Sequence, residues 1–140
     1  MSIWILIISF TCLYFSVMSM KSWFKSNEQI QIDFIKSYNE GVKSLHGEEE
    51  YTRFVFIFSI VYTVLWVNFY ITAFNIFNYG QLVFLSLVGV FYLLESIYGF
   101  FNGLNMLDKK EIKVGSIQKL LDTVELAYVI YFIIYYIRIN

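Results

Sequence analysis

The chain has 140 residues, of which 59% are hydrophobic, 21% aromatic and only 15% charged, and its net charge is -1. With a mean hydropathy of +0.62, intrinsic disorder is excluded and a water-soluble fold disfavoured, and the lack of a basic excess argues against nucleic acid as a partner. A single cysteine, Cys12, cannot build a disulfide framework, which leaves an all-α integral membrane protein forming a single membrane domain over residues 1–140.

The first expected span is residues 3–20, free of charged side chains. At about 1.5 Å per residue it just crosses a hydrocarbon core of about 30 Å. No basic segment precedes it and no small-x-small cleavage site follows, so it reads as an uncleaved transmembrane helix rather than a signal peptide.

Residues 21–53 form the next unit, an amphipathic cytoplasmic segment. Ile35, Tyr38, Val42 and Leu45 follow helical spacing with Lys36, Glu40 and Lys43 between them, the pattern of a helix lying in the membrane interface. Packing beneath its own bundle is preferred over docking a cytoplasmic partner. His46 stands beside Glu48, Glu49 and Glu50. One histidine without a second histidine or a cysteine nearby is a poor metal signal, and an acidic turn favouring a helix N-terminus explains these residues better.

The second expected span, residues 54–79, carries no charge, and the third, residues 82–104, carries only Glu95. Gly80 and Gln81 alone separate them, so a tight antiparallel hairpin is expected. A loop over residues 105–119 leads to the fourth span, residues 120–139, with Asp122 and Glu125 near its start. Lys21, Lys25, Lys36, Lys43 and Arg53 fall in one long connection and Lys109, Lys110, Lys113 and Lys119 in the other, leaving Arg138 at the opposite side. The positive-inside rule then puts both long connections in the cytoplasm and both termini outside. Abundant Ile, Phe, Tyr, Asn and Lys with no proline resembles AT-biased coding, so a bacterial plasma membrane is expected, with an organelle inner membrane as the alternative.

Glu95 is the residue that topology leaves unexplained. Counted from Leu104 it lies roughly 13 Å from the cytoplasmic end of its span, and no Lys or Arg lies between residues 54 and 108 to pair with it. Neutral partners are expected from two polar stripes, Asn68, Thr72, Asn75 and Tyr79 on the second span and Tyr92, Glu95, Gly99 and Asn102 on the third. A third stripe, Gln118, Asp122 and Glu125, enters from the cytoplasmic side, where the acids either face headgroups or converge on Glu95. Gly99 and Gly103, with Gly89 further back, have the small-residue spacing that permits close helix packing.

No phosphate loop, metal-ligand set, cofactor motif or nucleophile with a base is found, so an enzyme is not expected. The leading expectation is a non-enzymatic multi-pass protein that works by packing against other membrane-protein chains, as an accessory subunit or a homo-oligomer. The alternatives are a proton- or cation-conducting channel or transporter built on Glu95, and an immunity or exclusion factor.

Overall fold

Proline is absent, so no residue inside the apolar runs lacks a backbone donor, and all regular elements among the described residues are helices. The computed structural model describes residues 2–109 and 115–140, without the side chains of residues 106–109. In chain order it contains α1 (Ile3–Met20), a 3-10 turn (Lys21–Phe24), α2 (Asn27–Ser44), α3 (Glu48–Tyr79), α4 (Val83–Lys109) and α5 (Ser116–Ile139). Four of these, α1, α3, α4 and α5, are long and apolar enough to cross a membrane.

The helices run past the expected span limits because nothing in the flanking sequence breaks them. α3 begins at Glu48 rather than at 54, and its 32 residues extend over roughly 48 Å. Its first turn carries Glu48, Glu49 and Glu50, which complement the positive helix N-terminus, and Arg53 pairs with Glu49 and Glu50 at 3.8 and 3.5 Å. α4 runs to Lys109 and α5 starts at Ser116. Much of the expected loop over residues 105–119 is therefore helical, while its lysines Lys110 and Lys113 lie outside the described residues.

α3 stops at a Schellman motif, in which Leu82 N donates to Phe77 O at 2.8 Å and Gln81 N to Asn78 O at 3.0 Å. The left-handed residue in it is Gln81, at φ 62. Gly80 keeps φ -79, and its lack of a side chain serves a different end: a Cβ there would overlap the Tyr135 hydroxyl. α4 starts immediately after this turn and packs along α3, while α1 packs on α5 and more lightly on α3.

The buried set is dominated by aromatic rings. Trp66, Phe69, Tyr70 and Phe77 of α3 meet Tyr92 of α4 and Tyr128, Phe132 and Tyr136 of α5, with Cys12 of α1 buried among them. Tyr70 stacks on Tyr92 with centroids 5.8 Å apart, and Phe69 meets Phe132 edge-on at 5.2 Å. Tyr128 and Tyr136 are both core residues. The other buried polar residues are small: the hydroxyls of Ser9 and Ser86 donate to carbonyls one turn back at 2.6 and 3.2 Å. Large apolar side chains such as Ile3, Phe84 and Ile117 point outward with more than 70% exposure. Bulky apolar groups on the outer surface as well as in the core are unlike a water-soluble bundle and match a lipid surround.

Outside the four-helix unit, α2 lies against the first turns of α3. Ser26 caps α2 by accepting from Gln29 N at 3.2 Å. The helix ends with His46 at φ 59 and Gly47 N donating to Val42 O at 3.1 Å. Only Ile30 and Tyr38 of α2 are buried, whereas Ile35 and Leu45 of the expected apolar face are exposed. A Cβ at Gly41 would overlap the Tyr51 ring, so the glycine is what allows α2 and α3 to approach this closely. Tyr38 packs edge-on against Tyr51 at 5.1 Å and donates to Glu48 Oε1 at 2.6 Å.

Candidate functional site

Three of the spanning helices, with a contribution from α1, leave a cavity of about 330 Å³ between them. α3 contributes Ser59, Tyr62, Thr63 and Trp66, α4 contributes Glu95, Ser96, Gly99 and Gly103, and α5 contributes Gln118, Asp122 and Glu125. Helical arithmetic explains the lining: each set recurs at three- or four-residue steps and so shares one face of its helix. None of the lining residues is basic.

The cavity lies toward the lysine-rich end of the bundle. Trp23 Nε1 donates to Lys119 O at 3.2 Å and Lys119 Nζ to Lys25 O at 3.3 Å, which ties the first turn of α5 to the segment following α1. At the opposite end Ser2 N donates to the Tyr136 hydroxyl at 2.8 Å. Between the cavity and that far end lies the aromatic core, with Tyr92 fixed across α4 and α5 by a hydrogen bond to Leu121 O at 2.8 Å.

Gln118 is the link between the two helices whose acids line the cavity. Its amide Nε2 donates to Glu95 Oε1 at 3.2 Å and to Asp122 Oδ1 at 3.0 Å. Glu95 therefore sits across from the first turns of α5, nearer the lysine-rich end than its distance from Leu104 implies. Glu125, seven residues beyond Gln118, reaches about 10 Å deeper. The Tyr70 hydroxyl lies near the Glu125 carboxyl and is itself buried without a hydrogen bond. Glu95 Oε2 and the indole nitrogen of Trp66 are buried without a hydrogen-bond partner. Ion pairs among the described residues join Lys25 to Asp33 and Arg53 to Glu49 and Glu50, so none neutralises Glu95, Asp122 or Glu125.

Of the residues singled out in the sequence, Glu95, Asp122, Glu125, Gly99 and Gly103 come together at this cavity. Asn68 and Asn75 do not: both are exposed, and Thr72 between them donates back to Asn68 O at 2.9 Å. Asn102 is half-buried and off the lining. Gly89 sits elsewhere, where a Cβ would approach the Tyr128 hydroxyl to 2.7 Å. Nothing within 4 Å would meet a Cβ at Gly99 or Gly103. The α3 contribution is absent from the sequence reading. Its signal was the run Ser59, Tyr62, Thr63 and Trp66 at helical spacing, which the more polar Asn68–Tyr79 stripe outweighed. No group of three or more His, Cys, Asp or Glu among the described residues is placed to hold a metal ion.

The arrangement defines a bundle of membrane-spanning type with an acidic, aromatic-walled cavity at one end. No protein-family model, curated protein or solved structure matches the chain.

Proposed function

We propose that the chain is a small non-enzymatic membrane carrier that binds a proton or other cation in the cavity bounded by Glu95, Asp122 and Glu125. One observation carries this reading: carboxylates from two helices line one cavity with no basic partner. Unpaired charges in so apolar a setting cost several kcal/mol each. The site lowers that cost by taking up protons or by holding a positively charged guest. Because the aromatic core closes the far side, a carrier that opens alternately to each side accounts for the geometry better than an open pore does.

The lysine-rich end faces the cytoplasm in this reading, following the positive-inside rule. α2 then lies on the inner surface, where the exposed Ile32, Ile35 and Leu45 meet the headgroup boundary. In proteoliposomes, Glu125→Gln and Glu95→Gln should each lower cation-dependent flux about tenfold or more, while Asn68→Ala and Asn75→Ala leave it unchanged. Flux unaffected by either glutamate change would sink the carrier reading.

A second reading, an accessory subunit or homo-oligomer, is favoured by Gly99 and Gly103. Both are open toward the cavity mouth, a surface on which a helix from another chain can lie closely. Crosslinking through cysteines placed at 99 and 103 in the native membrane distinguishes it: a trapped partner supports the subunit role, and an exclusively monomeric product argues against it.

A further inference from the structure

The cavity walls carry more than acids. Phe58, Tyr62 and Trp66 of α3 form a continuous aromatic face, Phe58 stacked on Tyr62 and Tyr62 edge-on to Trp66, both at 6.3 Å. Phe100 joins them from α4. A cavity of about 330 Å³ falls at the lower end of sites that hold small organic molecules, roughly 300–1,000 Å³, and far exceeds what a bare ion fills. The carboxylates, moreover, do not converge on a point: among the described residues no three acidic side chains approach closely enough to hold a metal. Spread charges on an aromatic wall suit a guest that is itself extended.

Two buried groups specify that guest's chemistry. Glu95 Oε2 is an acceptor without a donor, and an ammonium group supplies donors together with compensating charge. Trp66 is 3% exposed and its indole N–H, a donor only, makes no hydrogen bond although the Tyr62 hydroxyl lies nearby, so an oxygen on the same molecule can take up that donor. The ring faces beside it attract a cation further, the more strongly where water is excluded. Resting on the carrier reading above, we infer that the cavity takes an organic ammonium ion with an aromatic or bulky apolar body and an acceptor oxygen beside the amine.

The test uses Trp66 as its own reporter. With Trp4→Phe and Trp23→Phe the full chain in detergent retains a single tryptophan in the cavity wall, to be titrated with 2-amino-1-phenylethanol. Its neutral counterpart 1-phenylethane-1,2-diol, and KCl, serve as comparators. A saturable change in Trp66 fluorescence should appear with the amine, and weaken about tenfold or more in Glu125→Gln and in Glu95→Gln. Circular dichroism selects whichever of the two variants keeps its helical content. Equal affinity for the diol, a matching response to KCl, or no saturation with the amine overturns the inference. If flux of simple cations remains glutamate-dependent while the amine fails to bind, the substrate class falls and the carrier reading stands. If the amine binds but no cation crosses, the site stands and the carrier reading falls.

Discussion

Tyr128 is 5% exposed and its hydroxyl makes no hydrogen bond, while Gly89 on the facing helix leaves room for that hydroxyl. A buried hydroxyl without a partner carries its desolvation cost uncompensated, so Tyr128→Phe should be neutral or stabilising, by on the order of 1 kcal/mol. Gly89→Ala pushes a methyl into the hydroxyl and should cost about 1–3 kcal/mol, as overpacking does. In the Tyr128→Phe background the same alanine should be tolerated. Unfolding of the four proteins of this cycle in mixed micelles measures the coupling, and an alanine equally damaging in both backgrounds would refute the contact. The glycine is visible in the sequence, but its partner is not. Spacing shows that Gly89 belongs to an apolar helix; only the packing of α4 on α5 reveals which atom occupies the space a side chain would need.

At the scale of elements, α2 is held to α3 by a short list of contacts, of which the Tyr38–Glu48 hydrogen bond at 2.6 Å is the most directional. That bond, first, and burial of the ring, second, raise the Tyr38 phenol from its ordinary 10.0 to about 12. The raised value means the folded form holds the proton more tightly than the unfolded one. The bond's contribution is thus complete below pH about 10 and is lost as pH rises through about 12. In carbon-13 tyrosine spectra of the chain in micelles, Tyr38 should titrate above the ordinary tyrosine range, and Glu48→Gln should bring it back toward about 10. An unshifted Tyr38 in the unaltered chain would remove the bond. Helix by helix, the elements were legible in the sequence because apolar runs without proline permit little else. Their limits were not, since Glu48–Arg53 and Ser116–Lys119 are mostly charged or polar yet continue helices that the spans had already nucleated. Legibility of the cavity divided similarly. The acids stood out because charge is rare in such runs, whereas Tyr62 and Trp66 were hidden among so many aromatics that only their neighbours mark them as special.

For the whole molecule, the asymmetry of charge and the position of the cavity coincide. The acidic cavity lies toward the end that carries Lys21, Lys25 and Lys119, and Arg138 stands at the other end. In the proposed carrier this bears on how a cation reaches the site. Exposed lysines around a mouth repel cations, but at physiological ionic strength their field decays over about 8 Å, whereas the carboxylates within a low-dielectric wall are screened far less. Entry from the lysine-rich side is therefore set by the cavity acids, and the side on which that end lies decides the direction of binding. In the proposed orientation, which follows the positive-inside rule, that end faces the cytoplasm. Two chains with one added cysteine each test the assignment directly, because the native Cys12 is fully buried and should stay silent to a membrane-impermeant maleimide. Ser44→Cys at the exposed end of α2 should react only after the membrane is opened, and Asn140→Cys beyond α5 should react in intact cells. The reverse pattern would turn the molecule over and make the cavity a site filled from outside. Labelling of both positions from one face would contradict the helix pairing itself, since the Ser2–Tyr136 and Trp23–Lys119 contacts hold α1 and α5 antiparallel with their joined ends apart.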